Sequence, residues 1–442
     1  MLARIGYRLE RLFRAVTPDP FVLAIFLTAF VGAVALIWTD FDGVQVLDAW
    51  HGGLWRLLGF GMQMCLVLVT GHALAASPPV RRLLKSVADR PQSGPVACAW
   101  VAAVTVGLGL INWGLGLVGG ALLARDVSAS CRRRGVPAHG PALAAAGYAG
   151  MMTWHGGFSG SAPLKVTRTA DLIELLGPEL GAKLAVIPST ATLLGPLNLF
   201  VSGGLWILLP LMAWASAPRG EGDPLPLAGD GAQEDPSSKG WTDGVAVGAL
   251  LFVPLGILVV RMFARDGVSR LDPNAVNLVM LFLGLALHGR PSRYLAAVRD
   301  AVPGCGGIIL QFPLYAGIMG IMGGTGLAAA MAAWAAEGGE DGLLVGTFLS
   351  AGFVNLLVPS GGGQWAIQGP IALEAGLGLG VAPSSIVMAV AYGDQWTNML
   401  QPFWALPLLG VTGARVGPML GYTSLFLVAG GLWMGLGLIL FG

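Results

Sequence analysis

Val354-Asn355-Leu356-Leu357-Val358-Pro359-Ser360-Gly361-Gly362-Gly363-Gln364-Trp365 lies inside an apolar segment, yet it cannot be one continuous helix. Pro359 and the three glycines after Ser360 interrupt it. Backbone that leaves the helix at membrane depth exposes N–H and C=O groups. It persists only where it is buried in protein or lines a wet cavity. A kinked packing helix is the plainer reading, since glycine is common in membrane spans. Three successive glycines behind Pro-Ser favour a ligand site instead, with Gly362 expected at positive φ and the backbone close to the ligand.

The stretch has a partner earlier in the chain. Ile111-Asn112-Trp113-Gly114-Leu115-Gly116-Leu117-Val118-Gly119-Gly120 aligns with it at an offset of 243, placing Asn112 on Asn355 and Gly119-Gly120 on Gly362-Gly363. At an offset of 244, Tyr148 meets Tyr392, Thr153 meets Thr397 and Pro163-Leu164 meets Pro407-Leu408. Looser pairs are Gln63 with Gln311, Asp19-Pro20 with Asp272-Pro273, and Gly203-Gly204-Leu205-Trp206 with Gly430-Gly431-Leu432-Trp433. An ordered series of this kind reads as an internal duplication, and paired interrupted segments in two halves point to a transporter binding site.

Composition agrees. Of 442 residues, 55% are hydrophobic and 11% charged, with mean hydropathy +0.72. Soluble domains carry about 25% charged residues, so the chain reads as an all-α polytopic membrane protein. A net charge of +1 gives no reason to expect a nucleic-acid partner. Cys65, Cys98, Cys131 and Cys305 are scattered and form neither a disulfide framework nor a metal motif. No P-loop pattern is present, and no cofactor is expected beyond a coupling Na⁺ or H⁺.

In chain order, residues 1–16 carry Arg4, Arg8, Arg11 and Arg14 at helical spacing and read as an amphipathic helix on a lipid surface. Residues 17–215 form a first repeat, 216–241 a Pro-, Gly- and acid-rich linker, and 242–442 an extra span followed by a second repeat. Spans are expected near 21–38, 57–76, before Trp214, and at 242–263, 274–288, 303–323 and 420–441. The apolar run from Val96 to Ala124 is too short to cross twice, because that needs about 40 residues. It also starts and ends beside basic residues, so it reads as a re-entrant hairpin with Asn112-Trp113-Gly114 at its tip. A second hairpin turns at Ser360, and two further spans are interrupted at 155–163 and 393–402. With the N-terminus inside, eighteen of the 25 Lys and Arg residues fall on the inner side. The hairpins then enter from opposite faces, which makes the repeats inverted.

Asp394 is an acid within an apolar span, a functional candidate by default. The alternative is a cap at a half-helix end. His155 and Ser159 stand four residues apart without a G-x-S-x-G context. They read as a substrate hydrogen bond, a satisfied buried histidine, or a membrane hydrolase pair. The neutral polar residues Asn112, Ser159, Ser161, Asn355, Ser360, Gln364, Thr397 and Asn398 suit an anion together with free N–H groups at Trp113, Gly114, Gly361, Gly362 and Gly363. Asp394, Asn112, Ser360 and Thr397 are the expected ion-coupling residues. Trp113, Trp154, Trp365, Trp396 and Trp404 are candidate lining, with packing the commoner fate of any one tryptophan.

Five stretches carry a resemblance: GFGMQMCLVLVTGHALA, INWGLGLVGGALLARDV, GGFSGSAPL, VPSGGGQWAIQGP and YGDQWTNMLQPFWALP. Through them nearly the whole chain resembles the short-chain fatty acid transporter family, among ion-transporter-type carriers. The resemblance implies two inverted repeats, each with a re-entrant hairpin and an interrupted helix, a bacterial inner-membrane location and a homodimer. It also implies cation-coupled transport of butyrate, acetoacetate or similar monocarboxylates. The chain departs from the enterobacterial pattern at His155, Gln364 and Asp394. An intramembrane Ser/His hydrolase and a passive anion channel are the competing readings.

Overall fold

The computed structural model describes residues 1–173, 181, 184–220, 223–226, 243–266, 273–336 and 339–442. The described residues are helical, with no strand among them. Seven helical stretches are long and apolar enough to cross a membrane. Among them, α2 (Pro20–Trp38), α4 (Leu58–Ala76), α10 (Pro196–Ser216), α11 (Val245–Asp266) and α20 (Val416–Phe441) fall where the sequence places spans. Helix α2 starts where its chemistry says it should. Pro20 opens it, and Asp19 accepts from the Phe21 N–H at 2.8 Å. The exposed side chains of α2 and α11 are large and apolar, as at Phe26, Ile37, Leu250 and Val260. Faces of that kind are solvated by hydrocarbon.

Two stretches expected as loops are helices or fixed turns. Asp42 and Gln45 form a capping box that starts α3 (Gly43–Leu54). It packs on α14 (Gly306–Gly324) through small residues. A Cβ added at Gly53 would stand 2.4 Å from the Ala316 carbonyl oxygen, and one at Gly320 would stand 2.3 Å from that of Ala49. Such close backbone approach is the membrane form of helix packing. Near the centre of the chain, Asp223–Pro226 is pinned: the Gly140 N–H donates to the Asp223 carbonyl, and the Leu225 N–H donates to Ser128 Oγ. The rest of the expected linker, apart from residues 216–220, lies outside the described residues, as does Asp272.

Helix α1 (Leu2–Val16) keeps its arginines exposed, but its other face is committed to protein. Glu10 is buried on α20, where it accepts from Tyr422 Oη at 3.1 Å and from Arg14 at 2.7 Å. Its Oε2 also meets His139 Nε2 at 2.7 Å. The expectation of a helix resting on lipid alone is therefore replaced by one docked through an acid. Burial pushes the Glu10 carboxyl up, but the His139, Arg14 and Tyr422 contacts outweigh it and hold its pKa below the ordinary carboxylate value. Its contribution to docking is thus full above that ordinary value, and fades as pH falls through the lower docked value. Glu10→Ala leaves His139 and Tyr422 unpaired, at a cost of about 1–3 kcal/mol. Trypsin cleavage at Arg11 and Arg14 is expected to accelerate at neutral pH, by roughly 5- to 150-fold.

Four interrupted elements occupy the middle of the molecule. Helices α6 (Gly94–Ile111) and α7 (Trp113–Arg133) form one hairpin, and α16 (Gly339–Leu357) and α17 (Gly361–Gly378) form another. Helix α8 (Gly140–Tyr148) gives way to short 3₁₀ turns before α9 (Ser161–Lys165). Helix α18 (Pro383–Thr397) passes through a 3₁₀ turn at Asn398–Leu400 into α19 (Pro402–Thr412). One contact recurs in both halves. A Cβ at Gly150 would lie 2.5 Å from the Thr105 carbonyl oxygen, and one at Gly393 would lie 2.3 Å from that of Phe348. Gly150 and Gly393 are 243 positions apart, as are Thr105 and Phe348.

Candidate functional site

The first tip is made by one residue. Asn112 ends α6 with an extended backbone, and its Oδ1 accepts from the Gly114 and Leu115 N–H groups at 2.9 and 3.1 Å. At the second tip this cap is supplied by Ser360, whose Oγ accepts from the Gly363 N–H at 3.2 Å. Asn355 sits before the tip, in the last turn of α16, so the alignment of Asn112 with Asn355 does not carry over to their roles. Gly119-Gly120 and Gly362-Gly363 part in the same way. A Cβ at Gly120 would meet the Gly147 backbone at 2.1 Å, whereas Gly362 is exposed in the first turn of α17.

Both tips converge on the break between α8 and α9. The Trp113 N–H donates to Ser159 Oγ at 2.9 Å, and the Phe158 N–H donates to the Leu110 carbonyl at 2.8 Å. From the other side, a Cβ at Gly361 would stand 2.6 Å from Trp154 Cη2 and 3.1 Å from His155 Cε1. One at Gly362 would stand 3.9 Å from Ser161 Oγ, with nothing nearer. Positive φ is not needed at any of Gly361, Gly362 and Gly363. The expectation at Gly362 is therefore corrected: the glycine required for close approach is Gly361. Ser360 satisfies the third N–H of α17, and those of Gly361 and Gly362 remain at the positive end of an 18-residue helix. Gly362 opens onto a gap in which Ser161 Oγ is the nearest atom to its Cβ position.

Behind this gap lies a buried histidine–aspartate pair. His155 Nδ1 is 2.5 Å from Asp394 Oδ2, and both side chains are at most 1% exposed. The Ala162 N–H donates to His155 Nε2 at 3.0 Å. That bond fixes the tautomer: Nε2 carries no proton, so Nδ1 donates to the carboxylate. Asp394 Oδ1 is buried with no partner among the described residues. Asp394 lies within α18 and caps nothing. Gln395 Oε1 accepts from the His155 and Gly156 N–H groups at 3.0 Å each, tying the break in α8–α9 to α18. Trp154 stacks on the imidazole with ring centroids 4.3 Å apart. His155 therefore stands behind Gly361 and Trp154, not at the surface of the gap.

The remaining predicted residues form a buried lock. Asn355 Nδ2 donates to the Asp394 carbonyl, Thr397 Oγ1 and Asn398 Oδ1 at 2.7, 3.0 and 2.9 Å. Thr397 Oγ1 donates to the Gly352 carbonyl, and Asn398 Nδ2 donates to that of Met151. Gln364 joins the two arms of its hairpin through the Ala351 carbonyl and Gln368. Thr397, Asn355, Asn398 and Gln364 therefore hold the break and do not line the gap. Among the tryptophans, Trp113, Trp154 and Trp404 cluster with Phe60, at ring separations of 5.3–6.4 Å. Trp396 donates to the Leu427 carbonyl on α20, and Trp365 is buried apart from the cluster. Among the described residues, no group of three or more His, Cys, Asp or Glu side chains could hold a metal ion.

Sequence reasoning missed Asn198, which donates to the Gly156 and Leu193 carbonyls and accepts from Ser202 and Tyr392. An asparagine in the apolar run of α10 was the available signal. Gln395, beside the singled-out Asp394, was also passed over. Ser360→Ala removes one neutral cap bond, about 0.5–1.5 kcal/mol. Hydrogen exchange of the Gly363 N–H is expected to speed up roughly three- to tenfold, with the fold retained.

The family described as "Short chain fatty acid transporter" matches residues 1–441. A candidate short-chain fatty acid transporter of Escherichia coli is 36% identical over 455 aligned positions, covering 100% of both chains. One of the same description from Haemophilus influenzae is 36% identical over 446, covering 97% of each. Among solved structures, Neisseria gonorrhoeae MtrF, described with a class of antimetabolite efflux pumps, aligns over 98% of both chains at 17% identity and TM-score 0.41. The Alcanivorax borkumensis YdaH transporter aligns over 95% of this chain and 98% of its own, at 18% identity and TM-score 0.40.

Proposed function

The chain belongs to the short-chain fatty acid transporter family, and from that premise we propose that it is a secondary carrier of short-chain monocarboxylates such as butyrate or acetoacetate. It is a multi-pass membrane protein. In this reading it sits in the inner membrane with its N-terminus inside, and its two halves are inverted with re-entrant hairpins.

The observation that carries the proposal is the gap at the α17 N-terminus, with the His155–Asp394 pair directly behind it. The Gly361 and Gly362 N–H groups, without a partner among the described residues, and the positive helix end suit a carboxylate. Ser159 and Ser161 supply neutral hydroxyls, and the Trp113–Trp154–Trp404 cluster offers an apolar wall for a short alkyl tail. The pair supplies the coupling. In this arrangement it carries one proton and a net negative charge. A second proton, on Asp394 Oδ1 or His155 Nε2, neutralises it. Protonation at Nε2 also ends the bond from Ala162, so the proton is felt in the first turn of α9, where Ser161 meets the substrate. Na⁺ is the second reading. It is favoured by the unpartnered buried oxygens Asp394 Oδ1, Asn355 Oδ1 and Gln401 Oε1, since hard cations take oxygen ligands.

The geometry gives less support to the competing functions. Ser159 Oγ is engaged by Trp113, and both His155 nitrogens are engaged elsewhere, so no base activates the serine. A channel and a carrier are separated by counterflow. Proteoliposomes preloaded with unlabelled butyrate should transiently concentrate labelled butyrate above its outside level, and protein-free vesicles should not. Entry that never exceeds the outside level despite preloading would make the protein a channel.

A further inference from the structure

Away from the central gap, a cavity of about 750 Å³ opens between the end of α1, the Pro303–Gly304 turn, α19 and the start of α20. This volume is within the usual range for small-molecule sites. Its lining includes Arg14, Arg415, Asp19 and, from α14, Gln311. Arg14 is paired with Glu10, and Asp19 caps α2. Arg415 is exposed and makes no ion pair among the described residues. It is also the N-cap of α20, and no side chain caps that helix. Val416 and Gly417, in the first turn of α20, line the cavity as well. Gln311 is 6% exposed, and neither its Nε2 nor its Oε1 has a hydrogen-bond partner among the described residues, so its amide N–H groups are free to donate. An unpaired guanidinium, an open helix N-terminus and the free amide N–H donors of Gln311 in one cavity are suited to an anion.

We propose that this cavity is a vestibule that takes the carboxylate of the substrate on Arg415, Gln311 and the first turn of α20 before it passes to the central gap. The assignment rests on the monocarboxylate-carrier reading. Inward of the cavity, a row of packed rings leads toward the central break. Phe312 follows Gln311 on α14 and stacks on Phe403 with centroids 4.2 Å apart. Phe312 is also 5.9 Å from Phe60, and Phe60 is 5.8 Å from Trp404. Trp404 in turn lies 6.4 Å from Trp154, at the central break. Leu406 and Leu409, on the helix that carries Phe403 and Trp404, wall the vestibule. A row of packed apolar rings thus joins two anion-suited ends, and these side chains must part for a short alkyl carboxylate to pass.

The test is protection of an introduced thiol. Ala414 lines the cavity, and the four native cysteines are buried. In reconstituted Ala414→Cys protein, a membrane-impermeant thiol reagent should label the cavity from the α1 face only, and butyrate should slow that labelling. Adding Arg415→Gln or Gln311→Leu should raise the butyrate needed for half-protection about tenfold, with Arg415→Lys falling between. Saturable butyrate uptake without protection overturns the vestibule while leaving the carrier intact. So does protection unchanged by both substitutions, or labelling that responds to anionic lipid content and not to butyrate. Protection without any transport would instead remove the carrier reading and leave an anion site.

Discussion

Asp394→Asn is expected to end accumulation of substrate against its gradient while leaving exchange across the membrane measurable. Asn has nearly the same shape, so α18 and the backbone ties of Gln395 and Asn355 to the break remain. What disappears is the negative charge that His155 Nδ1 faces at 2.5 Å. A hydrogen bond to a charged group contributes about 1.5–3 kcal/mol, so the coupled step should weaken roughly 10- to 150-fold. Accumulation ratios under an imposed ion gradient, measured beside counterflow in the same vesicles, separate coupling from substrate passage. Wild-type accumulation by the variant would remove Asp394 from coupling and move that role to the neutral oxygens around Asn355 and Gln401.

Gly361→Val should be more severe and should fail differently, with both exchange and accumulation lost. A side chain at this position enters space held by Trp154 and His155, at 2.6–3.1 Å. Neither ring can give way. Trp154 is stacked on His155, and His155 is bonded through both nitrogens. Overpacking of this kind costs about 1–3 kcal/mol, and a β-branched residue has few rotamers with which to escape. The second tip must lift from the break, and butyrate uptake should fall by roughly 100-fold. Membrane insertion and monodispersity should persist, because the apolar spans are unchanged. Gly362→Ala is the internal control. Its Cβ meets nothing nearer than 3.9 Å and its φ is not positive, so uptake should stay within about twofold of wild type. Equal losses at Gly361 and Gly362 would contradict the packing described for the tip.

The broken elements were legible because proline, glycine clusters and polar side chains are costly within an apolar span unless the helix stops there. Asn112, Ser360 and the interruption after Tyr148 are such places, and the structure breaks its helices there. The centre of the site was harder to locate. Sequence emphasis fell on Ser360, whereas the two tips and the Asp394 helix all meet around His155–Ser161. Their convergence depends on contacts between residues from 46 to 239 positions apart, which no local pattern reports. The alignment of Asn112 with Asn355 shows the same limit. A residue type shared at one offset need not share a role: one residue caps a helix while its counterpart locks a break. Helix α3, between the spans expected at 21–38 and 57–76, was missed because its capping box and its packing partner on α14 identify it only together. The docking of α1 was missed for a related reason. An amphipathic helix looks complete against lipid, and only His139 and Tyr422 reveal that Glu10 is an anchor.

The central claim is that the buried His155–Asp394 pair couples a proton to movement of a short monocarboxylate. Its most direct measurement is uptake of labelled acetoacetate into proteoliposomes under an inward proton gradient, an inward Na⁺ gradient, or none. Protein-free vesicles run in parallel subtract acid that crosses the lipid unaided. Protein-dependent accumulation above equilibrium is expected under the proton gradient, together with its loss in Asp394→Asn. Accumulation driven by Na⁺ alone, or none under either gradient from protein that remains folded, would contradict the claim.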